Sequence, residues 1–177
     1  MKKTLLKFYI YFLFFTIVLI SACKDKQLEQ EVVTTIQLKL TDASGVAKTF
    51  SWEKKDPNGT AAPIVDTIRM VANKVYTGEL TLLNAAVSPI SDLTQEIRDK
   101  KADHLFVFKP SAANVSIKIT DLDANLKPVG LATTWTVQSA SNGSINILLK
   151  HLPDKTATNP ETTGATDIDA IFPIKIQ

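Results

Sequence analysis

Val32-Val33-Thr34-Thr35-Ile36-Gln37-Leu38-Lys39-Leu40 decides the fold class. Val32, Thr34, Ile36, Leu38 and Leu40 fall on one parity, and Val33, Thr35, Gln37 and Lys39 on the other. Successive side chains of a strand point to opposite faces, so this period of two marks a strand with one face on a core and one in water. The same alternation recurs along the chain. Tyr76, Leu80 and Leu82 share a parity, as do Val115, Ile117 and Ile119. Leu131, Thr133, Trp135 and Val137 follow, then Ile145, Ile147 and Leu149, and finally Phe172, Ile174 and Ile176. Leu105-Phe106-Val107-Phe108 is apolar without alternation, which implies burial on both faces, with Pro110 as its end.

Turn chemistry separates these runs. Ala43-Ser44-Gly45, Asp56-Pro57-Asn58-Gly59, Asp121-Leu122-Asp123-Ala124-Asn125 and Ser141-Asn142-Gly143 supply the residues that tolerate tight turns. Asn142-Gly143 is the preferred pair of a type I′ hairpin, so the strands holding Leu131 and Ser144 are expected to be antiparallel neighbours. One short helix interrupts the pattern. Asp92 with Gln95 three residues later reads as a capping box, Leu93 and Ile97 lie one turn apart, and the helix is expected to end near Lys100 and Lys101. Regular strands with such punctuation predict an all-β domain with one short helix, an Ig-like antiparallel β-sandwich of Greek-key type. Thr41-Asp42 and Thr120-Asp121, each after an alternating run, suggest hairpin chemistry used twice.

The amino terminus has a different character. Lys2, Lys3 and Lys7 precede an apolar run over residues 8–20, and Ile20-Ser21-Ala22-Cys23 ends it with small residues before the sole cysteine. This order resembles a bacterial lipoprotein signal peptide with its lipobox. The run is short of the ~20 apolar residues a membrane span needs. The resemblance implies a signal peptide over 1–22, a lipidated Cys23 followed by a polar tether over 23–31, and a single β-sandwich domain over 32–177. Acyl chains on Cys23 anchor the protein to a membrane and remove the only thiol, so the domain has no disulfide available. Lys24 after the cysteine implies an outer-membrane lipoprotein, at the periplasmic face or the cell surface. Three of the 20 basic residues and none of the 18 acidic ones lie in the leader, leaving a mature net charge of −1. That balance, without a Lys/Arg cluster, argues against nucleic acid as a partner.

Candidate chemistry is sparse. His104 and His151 are the only histidines, and both sit at predicted strand ends. Two imidazoles with carboxylates from Asp103 or Asp167, or from Asp99 or Asp169, form a candidate site for a divalent metal ion such as zinc, copper or iron. The competing reading is that each histidine bonds a loop backbone. Asp121, Asp123 and Asn125 imitate the opening of a calcium loop, but Leu126 and Ala132 stand where an EF-hand needs Gly and Glu, which leaves an Asx-rich turn or a looser calcium turn. Trp52 and Trp135 are expected in the core rather than stacked on a sugar. The polar stretch 158–166 reads as a surface loop. No G-x-S-x-G and no phosphate-binding glycine loop occurs, so an enzyme is not expected.

Four groups of segments carry a family resemblance. They are Asp56-Pro57-Asn58-Gly59; Asp92-Leu93-Thr94-Gln95-Glu96-Ile97 with Asp103-His104-Leu105-Phe106; Pro128-Val129-Gly130-Leu131; and Leu149-Lys150-His151-Leu152-Pro153 with Gly164-Ala165-Thr166-Asp167. Together they resemble a family of small Gram-negative β-sandwich lipoproteins associated with TonB-dependent outer-membrane receptors. The resemblance implies a lipid-anchored binding or accessory module for nutrient or metal uptake, with such a receptor or another envelope protein as partner. The alternative is a structural or adhesive surface lipoprotein. Lys100-Lys101-Ala102 departs from the more acidic stretch expected there, which weakens a metal site at His104. Intact-mass spectrometry of the membrane fraction is expected to find a chain that begins at an acylated Cys23, with globomycin causing the precursor to accumulate. An unmodified sulfur at position 23 contradicts the anchor.

Overall fold

The computed structural model describes residues 32–56 and 59–177. The leader, Cys23, the tether, and Pro57 and Asn58 of the second turn lie outside them. Eleven strands and one helix occur among the described residues. In chain order these are β1 (Thr35–Asp42), β2 (Ala47–Glu53), β3 (Ile64–Val65), β4 (Ile68–Met70), β5 (Val75–Asn84) and β6 (Ser91–Asp92). Then come α1 (Thr94–Asp99), β7 (His104–Ser111), β8 (Val115–Ile119), β9 (Ala132–Val137), β10 (Ser141–His151) and β11 (Ala165–Ile176). Short 3₁₀ turns occupy Lys101–Asp103 and Pro160–Thr162.

The strands form two sheets. One has the order β3-β2-β1-β5-β9-β8, with β6 added to the end of β5, and the other is β4-β11-β10-β7. All pairs are antiparallel except β4 with β11. The order of β5, β7, β8, β9, β10 and β11 is that of strands B to G in an Ig domain. β9 lies between β5 and β8 as E lies between B and D, and β10 lies between β7 and β11 as F lies between C and G. β1 takes the first strand's place beside β5, and β2 and β3 widen that sheet.

Alternation places the core. Ile36 and Leu38 on β1, Leu82 on β5 and Trp135 on β9 are fully buried, as are Ile145, Ile147 and Leu149 on β10 and Phe172 on β11. Phe108 meets Trp135 edge-on, with ring centroids 6.2 Å apart, across the two sheets. The Trp135 indole N–H donates to Thr133 Oγ1 at 2.9 Å, which satisfies its one polar atom inside the core. Trp52 is also buried.

Four expectations need correction. Asn142-Gly143 is not a hairpin turn. Both residues lie inside β10, and β9 and β10 belong to different sheets, because the chain crosses the sandwich between them. Gly143 is there for proximity rather than for turning: a Cβ on it would run into the backbone of Ser111 and Ala112. Pro110 does not end β7, which continues to Ser111. β7 is an edge strand, where the missing N–H of proline costs no ladder bond. For the same reason burial on both faces holds only for Leu105 and Phe106, while Val107 and Phe108 are half-buried. Finally, the capping box does not form, because Leu93 rather than Asp92 takes the N-cap position. Asp92 Oδ1 accepts the Thr94 N–H at 2.8 Å, but the Gln95 side chain donates to Asp99 instead of turning back.

The repeated turn chemistry is present, at Asp42 as expected and at Asp123 instead of Asp121. Asp42 Oδ1 accepts the N–H groups of Ser44 and Val46, and its carbonyl accepts that of Gly45. Asp123 does the same for Asn125, Lys127 and Leu126. The third residue after each aspartate has positive φ, +85° at Gly45 and +59° at Leu126.

Gly143→Ala is expected to destabilise the domain by about 2 kcal/mol, since backbone must move to admit the methyl group. Urea denaturation measures it, and an unchanged midpoint would contradict the close approach.

Candidate functional site

His104 opens β7 and His151 closes β10, and the antiparallel register sets them directly opposite one another. Opposed residues project to the same face of a sheet, so two histidines far apart in sequence become neighbours. Their rings stack with centroids 5.1 Å apart and planes 10° from parallel. His104 is fully buried, and the His151 side chain is 14% exposed.

Asp167 reaches this pair through an irregularity. β10 and β11 pair Leu149 with Ile168 and then Lys150 with Thr166, which leaves Asp167 as an extra residue. Such a bulge re-aims a side chain. Here it puts a carboxylate with no solvent exposure 3.7 Å from His151 Nδ1. That separation is longer than a hydrogen bond.

His104 Nδ1 lies 3.0 Å from the Lys100 carbonyl oxygen. A carbonyl only accepts, so Nδ1 carries the proton and donates. Burial holds the His104 pKa below the ordinary histidine value. The Lys100 hydrogen bond and the charges of Asp167 and Asp103 oppose that shift, and His151 adds to it.

A second cluster ties the same end of the sandwich together. Lys155 Nζ lies 3.1 Å from Asp123 Oδ2 and donates to the Lys101 carbonyl at 2.7 Å, with both side chains nearly buried. Lys150 Nζ donates to the Gly164 carbonyl and to Thr166 Oγ1. The Leu152 N–H donates to the Asp103 carbonyl at 2.7 Å. The 3₁₀ turn after α1, the β8–β9 turn and the β10–β11 loop therefore share one polar rim. Burial pushes the Asp123 carboxyl up, but hydrogen bonds from Lys127, Lys155 and Asn125 outweigh it and leave its pKa below the usual range.

Of the sequence candidates, His104, His151 and Asp167 come together. Asp103 stands beside them, half-buried, and contributes its carbonyl and its field. Asp99 is exposed and accepts from Gln95, and Asp169 is exposed. The cluster is not a chelate. Ring-nitrogen lone pairs lie in the ring plane, and two nearly parallel stacked planes do not meet at one ion. Among the described residues no three His, Cys, Asp or Glu side chains are placed to hold a metal ion. The D-x-D-x-N stretch is an Asx turn. Asp121 accepts the N–H groups of Gly130, Leu131 and Ala132, and Asp123 is used by its turn and by Lys155. Lys150 and Lys155 carry no local sequence signal, because their partners are distant carbonyls and an aspartate 32 residues away.

A groove of about 380 Å³, which shares Asp167 with the histidine cluster, opens between the β2–β3 edge and β11. Val33, Trp52, Pro63, Ile168 and Ile171 line it, with Lys54, Asp167 and Asp169 as its charged residues. Comparison with protein-family models, curated proteins and solved structures finds no match to this chain.

Removing one partner of a buried ion pair leaves the other charge uncompensated, so Asp123→Asn is expected to cost about 3 kcal/mol at neutral pH. The carboxyl's pKa is depressed in the fold, so its contribution is complete above the ordinary value of about 4 and is lost as pH falls through the lowered one. Urea denaturation of both proteins as a function of pH checks this: the gap should close in acid, and a constant gap contradicts it.

Proposed function

We propose that the protein is a lipid-anchored binding or accessory module of the outer membrane, serving nutrient or metal uptake through a TonB-dependent receptor. The feature that carries this reading is the sequence order of lipobox-like motif, short polar stretch and one β-sandwich domain, together with a groove near the first described residues of that domain. Val33, almost the first described residue, lines that groove with Trp52 and Ile171. The groove suits a partner's side chain or short segment better than a reaction. Its charged residues, Lys54, Asp167 and Asp169, stand among apolar ones, and the histidine cluster presents covered ring faces rather than an accessible base.

A second reading, a structural or adhesive surface protein, draws on the free part of β11. β4 pairs only with Ile174, Lys175 and Ile176 of the twelve residues of this strand. The remaining edge has no strand partner on that side among the described residues, and a strand of another protein can add there.

Affinity purification of the tagged full chain from detergent-solubilised membranes is expected to recover a TonB-dependent receptor. Ile171→Lys, at a half-exposed groove position, should abolish recovery without unfolding the domain. Protease shaving of intact cells separates the two readings, since an adhesive protein is cleaved from outside. Absence of any receptor, with expression indifferent to metal and nutrient starvation, overturns the first.

A further inference from the structure

We propose that the stacked His104/His151 pair is an acid-sensitive latch, which holds the turn after α1 against the β10–β11 loop at neutral pH and releases this rim when the buried His104 imidazole takes up a proton. The pair lies where the two segments meet. His104 directly follows the 3₁₀ turn Lys101–Asp103, and His151 directly precedes Leu152, whose N–H donates to the Asp103 carbonyl at 2.7 Å. Opening the stack therefore strains the bond that joins the two segments.

The charges around the pair set its response. From β10 comes His151 itself, and from β11 comes Asp167, whose carboxylate has no solvent exposure. From the 3₁₀ turn comes Asp103, which is half-buried. Lys100 faces His104 through its carbonyl, while its ammonium pairs with Glu96 at 2.6 Å. Lys155 is held by Asp123 and the Lys101 carbonyl, and Lys150 by Gly164 and Thr166. Asp167 can balance one imidazolium. A proton on His104 puts a charge 5.1 Å from the neighbouring ring inside a buried site, where little water reaches to solvate it.

The sign follows from burial. His104 is neutral in the closed rim, and desolvation is the first cause of its lowered pKa. Once solvated, it takes a proton at the free-histidine value of about 6.5. Between that value and the lower one of the closed form, the open form binds more protons. Closure therefore weakens as pH falls through this window, and levels off below it.

Native-state hydrogen exchange on the full chain in detergent tests the latch. Protection of the Leu152 and Phe106 amides is expected to fall about tenfold from about pH 7.5 to about pH 5, while that of Ile147 in mid-β10 stays nearly constant. His104→Phe keeps a flat ring in the stack without a titrating nitrogen, and should remove most of the drop. A measurement on the unaltered protein covers the case in which that variant misfolds: the His104 ring resonance should titrate below about 6.5, in step with the loss of protection. Rim protection that is equal at both pH values, or a His104 ring that titrates at the free value while the rim stays closed, overturns the proposal.

Discussion

Gly143 lies so close to the backbone of Ser111 and Ala112 that a single methyl group would not fit, and the pairing of β10 with β7 starts at that contact. From Ser144 opposite Ser111 the register runs without a break to His151 opposite His104. A slip of one residue would turn Ile145, Ile147 and Leu149 out of the core and part the two histidines at the same time. The core and the rim cluster are thus two consequences of one alignment. The burial of three large side chains enforces the alignment, and the histidine stack depends on it.

The other side of β10 behaves differently. Its pairing with β11 is regular from Ser141 to Leu149, and then shifts. The regular part carries Phe172 and Ala170 into the core, and the bulge turns Asp167 toward His151. Lys150, on the opposite parity, uses the same region differently, donating to Gly164 and Thr166 across the loop. Buried polar groups are tolerated in this rim because they meet partners from three segments, and a rim built this way is stable only while those segments stay together. The centre of the sandwich is apolar and independent of charge; its end is where charge state and shape are linked.

Much of the fold was legible because burial imposes a period of two on exposed-face strands, as at Ile36, Leu38 and Leu40. The Ig-like order was legible from the number and spacing of such strands. The expected hairpin at Asn142-Gly143 was in tension with that order from the start, since the Ig arrangement sends the chain from one sheet to the other between its fifth and sixth strands. Asn-Gly is local evidence for a turn, whereas the need for glycine at a close backbone approach is a long-range fact that no local pattern carries. Pro110 misled for a related reason: whether proline ends a strand depends on whether its N–H faces a neighbour. At the site, His104 and His151 were legible as strand-end residues on one rim. Their stacking was not, because it follows from register, and neither was the Lys155/Asp123 pair, which joins two loops with no shared pattern.

Asp167 also links the rim to the groove. It lines the groove as well as facing His151. Its neighbour Ile168 is buried and paired with Leu149, on the regular side of the bulge. A bulge sets its extra residue outside the regular register, and here that residue is Asp167. The groove and the histidine pair therefore share Asp167, while the next residue, Ile168, belongs to the core. Because one carboxylate serves both places, the charge it carries is felt at the groove and at the histidine pair alike.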